Sequence, residues 1–251
     1  MYNPFSLLNK NILVTGASSG IGRSIAIECS KLGAKVVITA RSKDRLEDTL
    51  KNMEGTEHEV IVADLNKPGD IENLVLRLPK LDGVVHNAGY GGKREMSKYI
   101  SVENLEETVS INLFAPILLQ KAILEKKVLR EESSIVFIAS RAPFSPSPGN
   151  AVYSATKGGL IAYSKVLALE MAPRKIRVNS ICPAMVWSDL TLDESFISKE
   201  AHDNHQKTYP LKRYGNPEDV AFLTIYLLSD TSKWMTGSSI DITGGGEGVL
   251  T

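Results

Sequence analysis

The sequence predicts a doubly wound α/β fold, a parallel seven-stranded sheet with helices on both faces. Short apolar runs alternate with longer amphipathic ones from one end of the chain to the other. Strands that read as continuous apolar runs are buried on both faces, as parallel βαβ units require. No linker-like segment, repeat or low-complexity tract interrupts the alternation, so residues 1–251 are expected to form a single domain.

Each element follows from its local pattern. Asn11–Val14 is a brief β-like run that ends at Thr15-Gly16, and Ile21–Leu32 repeats apolar residues at helical spacing. Lys35–Thr39 is rich in β-branched residues, and a helical Lys43–Met53 follows. Glu59–Ala63 is the third strand, Ile71–Leu78 a short helix and Leu81–His86 the fourth strand. A long helical region is expected from about Val102 to Leu129, then a fifth strand over Ser134–Ala139. Tyr153–Met171 reads as a helix, Arg177–Ile181 as the sixth strand, Pro217–Leu228 as a helix and Ser239–Ile242 as the last strand. The stretch 184–213 is polar, with scattered Trp187, Phe196 and Tyr209 and no clean period. A loop of that length in a compact domain is usually a lid or binding loop, so it is the expected substrate loop.

Composition narrows the function. With 29 basic and 29 acidic residues the formal net charge is zero, which offers no whole-molecule attraction to nucleic acid or an anionic membrane. No stretch approaches the ~20 apolar residues of a membrane span, and Met1–Lys10 lacks the pattern of a secretory signal. Cys29 and Cys182 have no metal-type spacing and read as reduced core residues, so no metal site is expected and the location is expected to be cytoplasmic.

The first strand runs into Thr15-Gly16-Ala17-Ser18-Ser19-Gly20-Ile21-Gly22 and then a helix. Such a turn lets backbone N–H groups at the positive end of the helix approach a pyrophosphate. Gly16 permits the tight turn, Gly20 clears the phosphates, and Gly22 lets helix and sheet pack closely. An ordinary tight turn would use similar glycines, but this one sits between a first strand and a helix. At the end of the second strand, NAD-binding domains commonly carry an acid for the ribose 2′-hydroxyl, whereas an arginine suits a 2′-phosphate. The chain reads Ala40-Arg41-Ser42 there, which favours NADP(H) over NAD(H) unless Arg41 is simply a surface residue.

Of the eight tyrosines, only Tyr153 has a lysine four positions later, Lys157. On a helix that spacing puts both side chains on one face. A free phenol titrates near pH 10, and a neighbouring ammonium would favour its phenolate and make it a better proton-transfer group. Ser140 lies at the end of the fifth strand, at the same sheet edge.

In this ordered set the sequence resembles the compact branch of the short-chain dehydrogenase/reductase family, particularly the 3-oxoacyl-(acyl-carrier-protein) reductases. The motifs are Thr15–Gly22, Asp64 after the third strand, Asn87-Ala88-Gly89 after the fourth, Asn112, Ser140, Tyr153-x-x-x-Lys157 and Pro183 after the sixth. The resemblance implies a Rossmann-type fold and hydride transfer between NADP(H) and a ketone or secondary alcohol. It implies that Tyr153 gives or takes the proton, Lys157 lowers the tyrosine pKa and holds the nicotinamide ribose, and Ser140 binds the substrate oxygen. Asn112 then helps hold a water near Lys157. Asp64 and Leu65 match positions beside the adenine, Asn87, Ala88 and Gly89 line the adenosine ribose, and Val186 and Ser188 match nicotinamide-binding positions. Three residues depart from the usual pattern: His86 for asparagine, Ala184 for glycine and Ser188 for threonine.

The substrate is expected to be a small carbonyl or alcohol, with a 3-oxoacyl thioester one option and sugars, polyols or steroids others. Candidate lining residues are Tyr90, Gly91, Arg141, Pro143, Phe144, Val186 and Trp187. Lys93, Arg94 and Arg141 read either as solvated charges or as a basic rim for an anionic substrate. A nucleotide-binding regulator without catalysis would be expected to lose part of the Ser140–Tyr153–Lys157 set, which is complete here. The family resemblance also implies a homodimer or homotetramer, and Ala155, Gly158, Gly159 and Ala162 are read as a small-residue packing surface.

Overall fold

The computed structural model describes residues 2–188 and 199–246. Seven parallel strands form one sheet in the order β3-β2-β1-β4-β5-β6-β7. They are β1 (Asn11–Thr15), β2 (Lys35–Ala40), β3 (Glu59–Val62), β4 (Leu81–His86), β5 (Leu129–Ile138), β6 (Arg177–Pro183) and β7 (Ser239–Ile242). The helices are α1 (Gly20–Lys31), α2 (Lys43–Lys51), α3 (Pro68–Arg77), α4 (Val102–Val109), α5 (Ala115–Glu125), α6 (Ala151–Met171), α7 (Lys199–Thr208) and α8 (Pro217–Leu228).

Alternation along each strand feeds two cores. Ile12, Val14, Val36, Ile38, Val136 and Ile181 face one side, where α1, α2 and α8 bring Ile25, Leu46 and Ile225. Leu13, Val37, Val84, Ile135, Phe137 and Val178 face the other, under α3, α5 and α6 with Leu74, Leu119 and Leu167. The order in which the strands are laid down reverses between β1 and β4, the crevice where doubly wound sheets bind ligands.

Several element ends shift by one to three residues from the sequence expectation, and three differences are larger. The long helix ends at Glu125, and it is interrupted by a π-helical turn over Ser110–Phe114. Pro116 lacks the amide that would reach back to Asn112, so the helix widens there rather than continuing its ladder. Strand β5 starts five residues earlier than the apolar run suggests, because Arg130, Glu131 and Glu132 sit in a register irregularity that turns them to solvent. The aperiodic stretch carries α7, a polar helix; Phe196 lies outside the described residues. Val102–Glu125 is long and apolar enough by composition to cross a membrane, but Ala115, Leu119 and Ile123 are committed to the second core.

Candidate active site

The C-terminal ends of β1 to β6 bring the motif residues together. After β1, the N-cap of α1 is Ser19, whose side chain makes no capping bond, and no acidic residue occupies the first turn. The amide end of α1 is thus open to an anion. Gly16 has φ +66, and a Cβ there would lie 2.8 Å from Ala88 Cα. A Cβ on Gly22 would collide with the Gly16 carbonyl oxygen at 2.3 Å. These glycines let the turn fold against the end of β4 at all.

The β1–β4 crevice is closed by hydrogen bonds from the motif after β4. The amides of Asn87 and Ala88 both donate to Thr15 Oγ1 at 3.0 Å. Asn87 Nδ2 donates to the carbonyls of Thr15 and Gly16 at 3.1 and 3.2 Å. Asn87 therefore shapes the glycine turn from beneath. Arg41 is exposed just beyond β2, while Ser42 accepts from the Arg45 amide as the N-cap of α2. Asp64 is half-buried, takes an N–H from Asn66 at 3.1 Å, and is followed by buried Leu65. Pro183 at the end of β6 and Val186 beyond it are buried, and Ser188 reaches the turn: its Cβ lies 3.1 Å from where a Gly20 Cβ would be.

Ser140, Tyr153 and Lys157 converge from β5 and α6. The Ser140 side chain is hydrogen-bonded to the Tyr153 phenol and also accepts the Ala142 amide at 3.1 Å. Lys157 Nζ stands 5.8 Å from the Tyr153 ring centroid and donates to the Ile138 carbonyl at 2.9 Å. Burial pushes the Lys157 ammonium down to about 8. Burial also raises the Tyr153 phenol, opposed by the Ser140 hydrogen bond. The expectation that Lys157 lowers the tyrosine pKa therefore meets an opposing effect in the bare protein, where desolvation dominates.

Asn112 sits in the π turn and is fully engaged by the β4–α4 loop. Its Oδ1 accepts the Tyr90 amide and its Nδ2 donates to the Tyr90 carbonyl, both at 2.7 Å. Gly89 fits between them and Lys157: a Cβ there would lie 2.9 Å from Asn112 Oδ1 and 3.5 Å from Lys157 Nζ. Next to it, His86 is buried, stacks on Phe137 at 4.6 Å, and bonds Gln120 Oε1 through Nε2 at 2.9 Å.

Other candidates are placed differently. Arg141 turns to Asp241 on β7, 2.9 Å away, and lies over Phe144. Its charge is thus shared with Asp241, while Lys93 and Arg94 are exposed. Gly158 and Gly159 pack within the chain, Gly159 tightly against Leu113, which leaves Ala155 and Ala162 of the small-residue set outward. Trp187 packs on Tyr214 and His202. The helical spacing of His202 and His205 in α7, with Tyr209 just past its end, is the available signal for that cluster.

The family described as Enoyl-(Acyl carrier protein) reductase matches residues 16–247. The chain belongs to the short-chain dehydrogenase/reductase family. Among its relatives, the 3-oxoacyl-(acyl-carrier-protein) reductase FabG of Rickettsia felis is 35% identical over 95% of this chain and 97% of its own. A solved actinorhodin polyketide ketoreductase variant with NADPH superposes with a TM-score of 0.87 at 30% identity, covering 99% of both chains. The 3-ketoacyl-(acyl-carrier-protein) reductase of Brucella melitensis, solved with NADH, gives 0.84 at 29% identity over 97% of this chain and all of its own. This short-chain dehydrogenase/reductase is thus an oxidoreductase with a ketoreductase-like set of relatives and a site suited to a nicotinamide nucleotide.

Proposed function

We propose that the protein is a cytoplasmic NADP(H)-dependent reductase of ketones, single-domain and homo-oligomeric, with 3-oxoacyl thioesters the first substrates to try. The observation that carries the reading is the Ser140–Tyr153–Lys157 convergence beside an uncapped helix N-terminus. A nicotinamide nucleotide would supply the hydride, or accept it in reverse. Gly16, Ser18, Ser19, Gly20, Ile21 and Gly22 would hold its pyrophosphate, and Asp64 and Leu65 its adenine. Asn87, Ala88 and Gly89 would hold the adenosine ribose, and Pro183, Val186 and Ser188 the nicotinamide.

Tyr153 is the proton donor to the substrate oxygen. Its raised pKa keeps it protonated across neutral pH, the state a donor needs. Ser140, already within hydrogen-bond reach of the phenol, orients the same oxygen and stabilises charge developing on it. Lys157 is charged below about pH 8 and favours the phenolate left behind. Asn112 holds the Tyr90 main chain, and through it the wall beside Lys157. Exposed Val102, Leu105, Phe114, Leu118, Val166 and Leu169 on α4 to α6 support assembly through those helices.

Arg41, with Ser42, supports the 2′-phosphate and hence NADP(H). The test is a fluorescence titration of NADPH and NADH against wild type and Arg41→Ala. The expected result is tighter NADPH binding in wild type, weakened about tenfold or more in the variant with NADH unaffected. Equal affinity for both nucleotides, or preference for NADH, would show that Arg41 does not read the phosphate.

A further inference from the structure

The strap after β6 is tied by main-chain bonds to Gly215, just ahead of α8. The Trp187 amide donates to the Gly215 carbonyl at 2.9 Å, and the Gly215 amide donates to the Met185 carbonyl at 3.0 Å. The residue before Gly215 is Tyr214, and its position is fixed from the α8 side. Arg213 donates to the Tyr214 carbonyl and grips Asp219, whose carboxylate accepts the Asn216 amide in the capping box of α8.

Above this base lies α7. Its His205 Nδ1 is 2.7 Å from the Tyr214 hydroxyl, and the Tyr214 ring packs against Trp187 at 4.9 Å. His202 is buried between Trp187 and Tyr214, at 5.6 and 5.9 Å between ring centroids. Burial raises the Tyr214 phenol, so it is a neutral hydroxyl that can donate to one imidazole nitrogen. Among the described residues, the Tyr214 hydroxyl meets α7 at His205 Nδ1, 2.7 Å away, and more distantly at His202 Nδ1, 3.5 Å away. Ring contacts carry this seat to Trp187 of the strap, which ends with Ser188 against the glycine turn.

We propose that the Tyr214–His205 hydrogen bond is a latch that seats α7 on the Met185–Ser188 strap and sets how fast the nicotinamide nucleotide leaves. Tyr214 and His205 are positioning residues: they act on the nucleotide through Trp187 and Ser188. The proposal rests on the nucleotide-binding reading above. It separates the two sides of the strap mechanically, with a fixed base in Tyr214 and a detachable cover in α7.

The test uses stopped-flow displacement of NADPH from wild type, Tyr214→Phe, His205→Phe and the double variant. Both single substitutions keep a ring in the cluster; each removes the 2.7 Å bond, and Tyr214→Phe also removes the longer contact with His202. The expected result is nucleotide dissociation about 3- to 10-fold faster in each single variant, the equivalent of one net hydrogen bond. KM for the nucleotide rises in proportion, kcat holds or rises, and the thermal midpoint stays at the wild-type value. The double variant should be no faster than Tyr214→Phe, because that substitution by itself already removes the bond to His205. His205→Gln, which can still bond the hydroxyl, should restore part of the slow dissociation. Wild-type dissociation rates in the single variants, or a double variant whose effects multiply, would overturn the latch while leaving nucleotide binding intact. A wild-type protein that binds neither NADPH nor NADH would overturn both readings.

Discussion

The two ends of the sheet each bury one cation, and they treat it differently. Lys157 at the C-terminal edge and Arg177 near the N-terminal start of β6 are 5% and 8% exposed. Arg177 Nη2 donates to the carbonyls of Leu227 and Ser229 at 2.7 and 3.2 Å, which places the guanidinium at the negative end of α8. Ser134 and Ser232 add hydroxyl donors to the same Leu227 carbonyl. Lys157 has the Ile138 carbonyl instead, and burial brings its ammonium down to about 8. Similar desolvation thus gives a fixed charge where a helix end and a group of very high basicity offset it. It gives an adjustable charge where a lysine stands among Gly89, Asn112 and Tyr153. One end of the sheet holds its cation for stability, and the other keeps it where the proposed proton chemistry needs it.

The comparison breaks most visibly if the two ends are altered one at a time. Tyr153→Phe removes the proposed proton donor but little packing, so kcat should fall about 10²- to 10⁴-fold with the thermal midpoint nearly unchanged. Retention of more than a tenth of the activity would remove Tyr153 from the chemistry. Arg177→Ala should do the reverse. Losing both carbonyl contacts and opening a cavity at the end of α8 should cost about 3 kcal/mol in urea denaturation. The kcat of the folded fraction should stay within about twofold of wild type. A stability loss below about 1 kcal/mol would mean that Ser134 and Ser232 hold the helix end by themselves.

Much of the adjustable end could be read in the sequence because its determinants are local. Gly16 to Gly22 and Tyr153 to Lys157 are short patterns whose geometry follows from a turn or a helical repeat. The fixed end could not. Arg177 looks like any charged residue opening a strand, and its partners arrive from α8, fifty residues away. The role of Asn112 was hidden in the same way, since the π turn depends on Pro116 and its amide is used by Tyr90, 22 residues upstream. Strand β5 was shortened because three charged residues interrupt its apolar run. Helix α7 has no aliphatic stripe to announce it, because its inward side chains include His202 and His205, which pack on rings from outside the helix.

His86 sharpens the contrast within the adjustable end. Burial lowers its pKa to about 4, with the Gln120 hydrogen bond opposing. The folded protein therefore binds fewer protons than the unfolded chain between about pH 4 and 6.5, and stability falls as pH drops through that window. The loss from this group between pH 7 and 5 should be about 2 kcal/mol. Chemical denaturation of His86→Asn at both pH values should show a correspondingly shallower dependence. An unchanged dependence would place the acid sensitivity elsewhere.

Lys157→Arg makes the smallest change and bears most directly on the difference between the two cations. In the direction of ketone reduction, wild-type kcat/KM should be level through neutral pH, where Tyr153 is protonated and Lys157 charged. It should decline as pH rises through about 8, where Lys157 loses its proton. Arginine keeps its charge throughout that range. The variant should therefore react more slowly, since its wider group cannot sit where Nζ does, yet hold its lower rate beyond pH 8. Loss of the decline with retention of measurable turnover would assign the alkaline arm to Lys157. If the arm persists at the same pH in the variant, another group titrates there, and the charge on Lys157 is as fixed as that on Arg177.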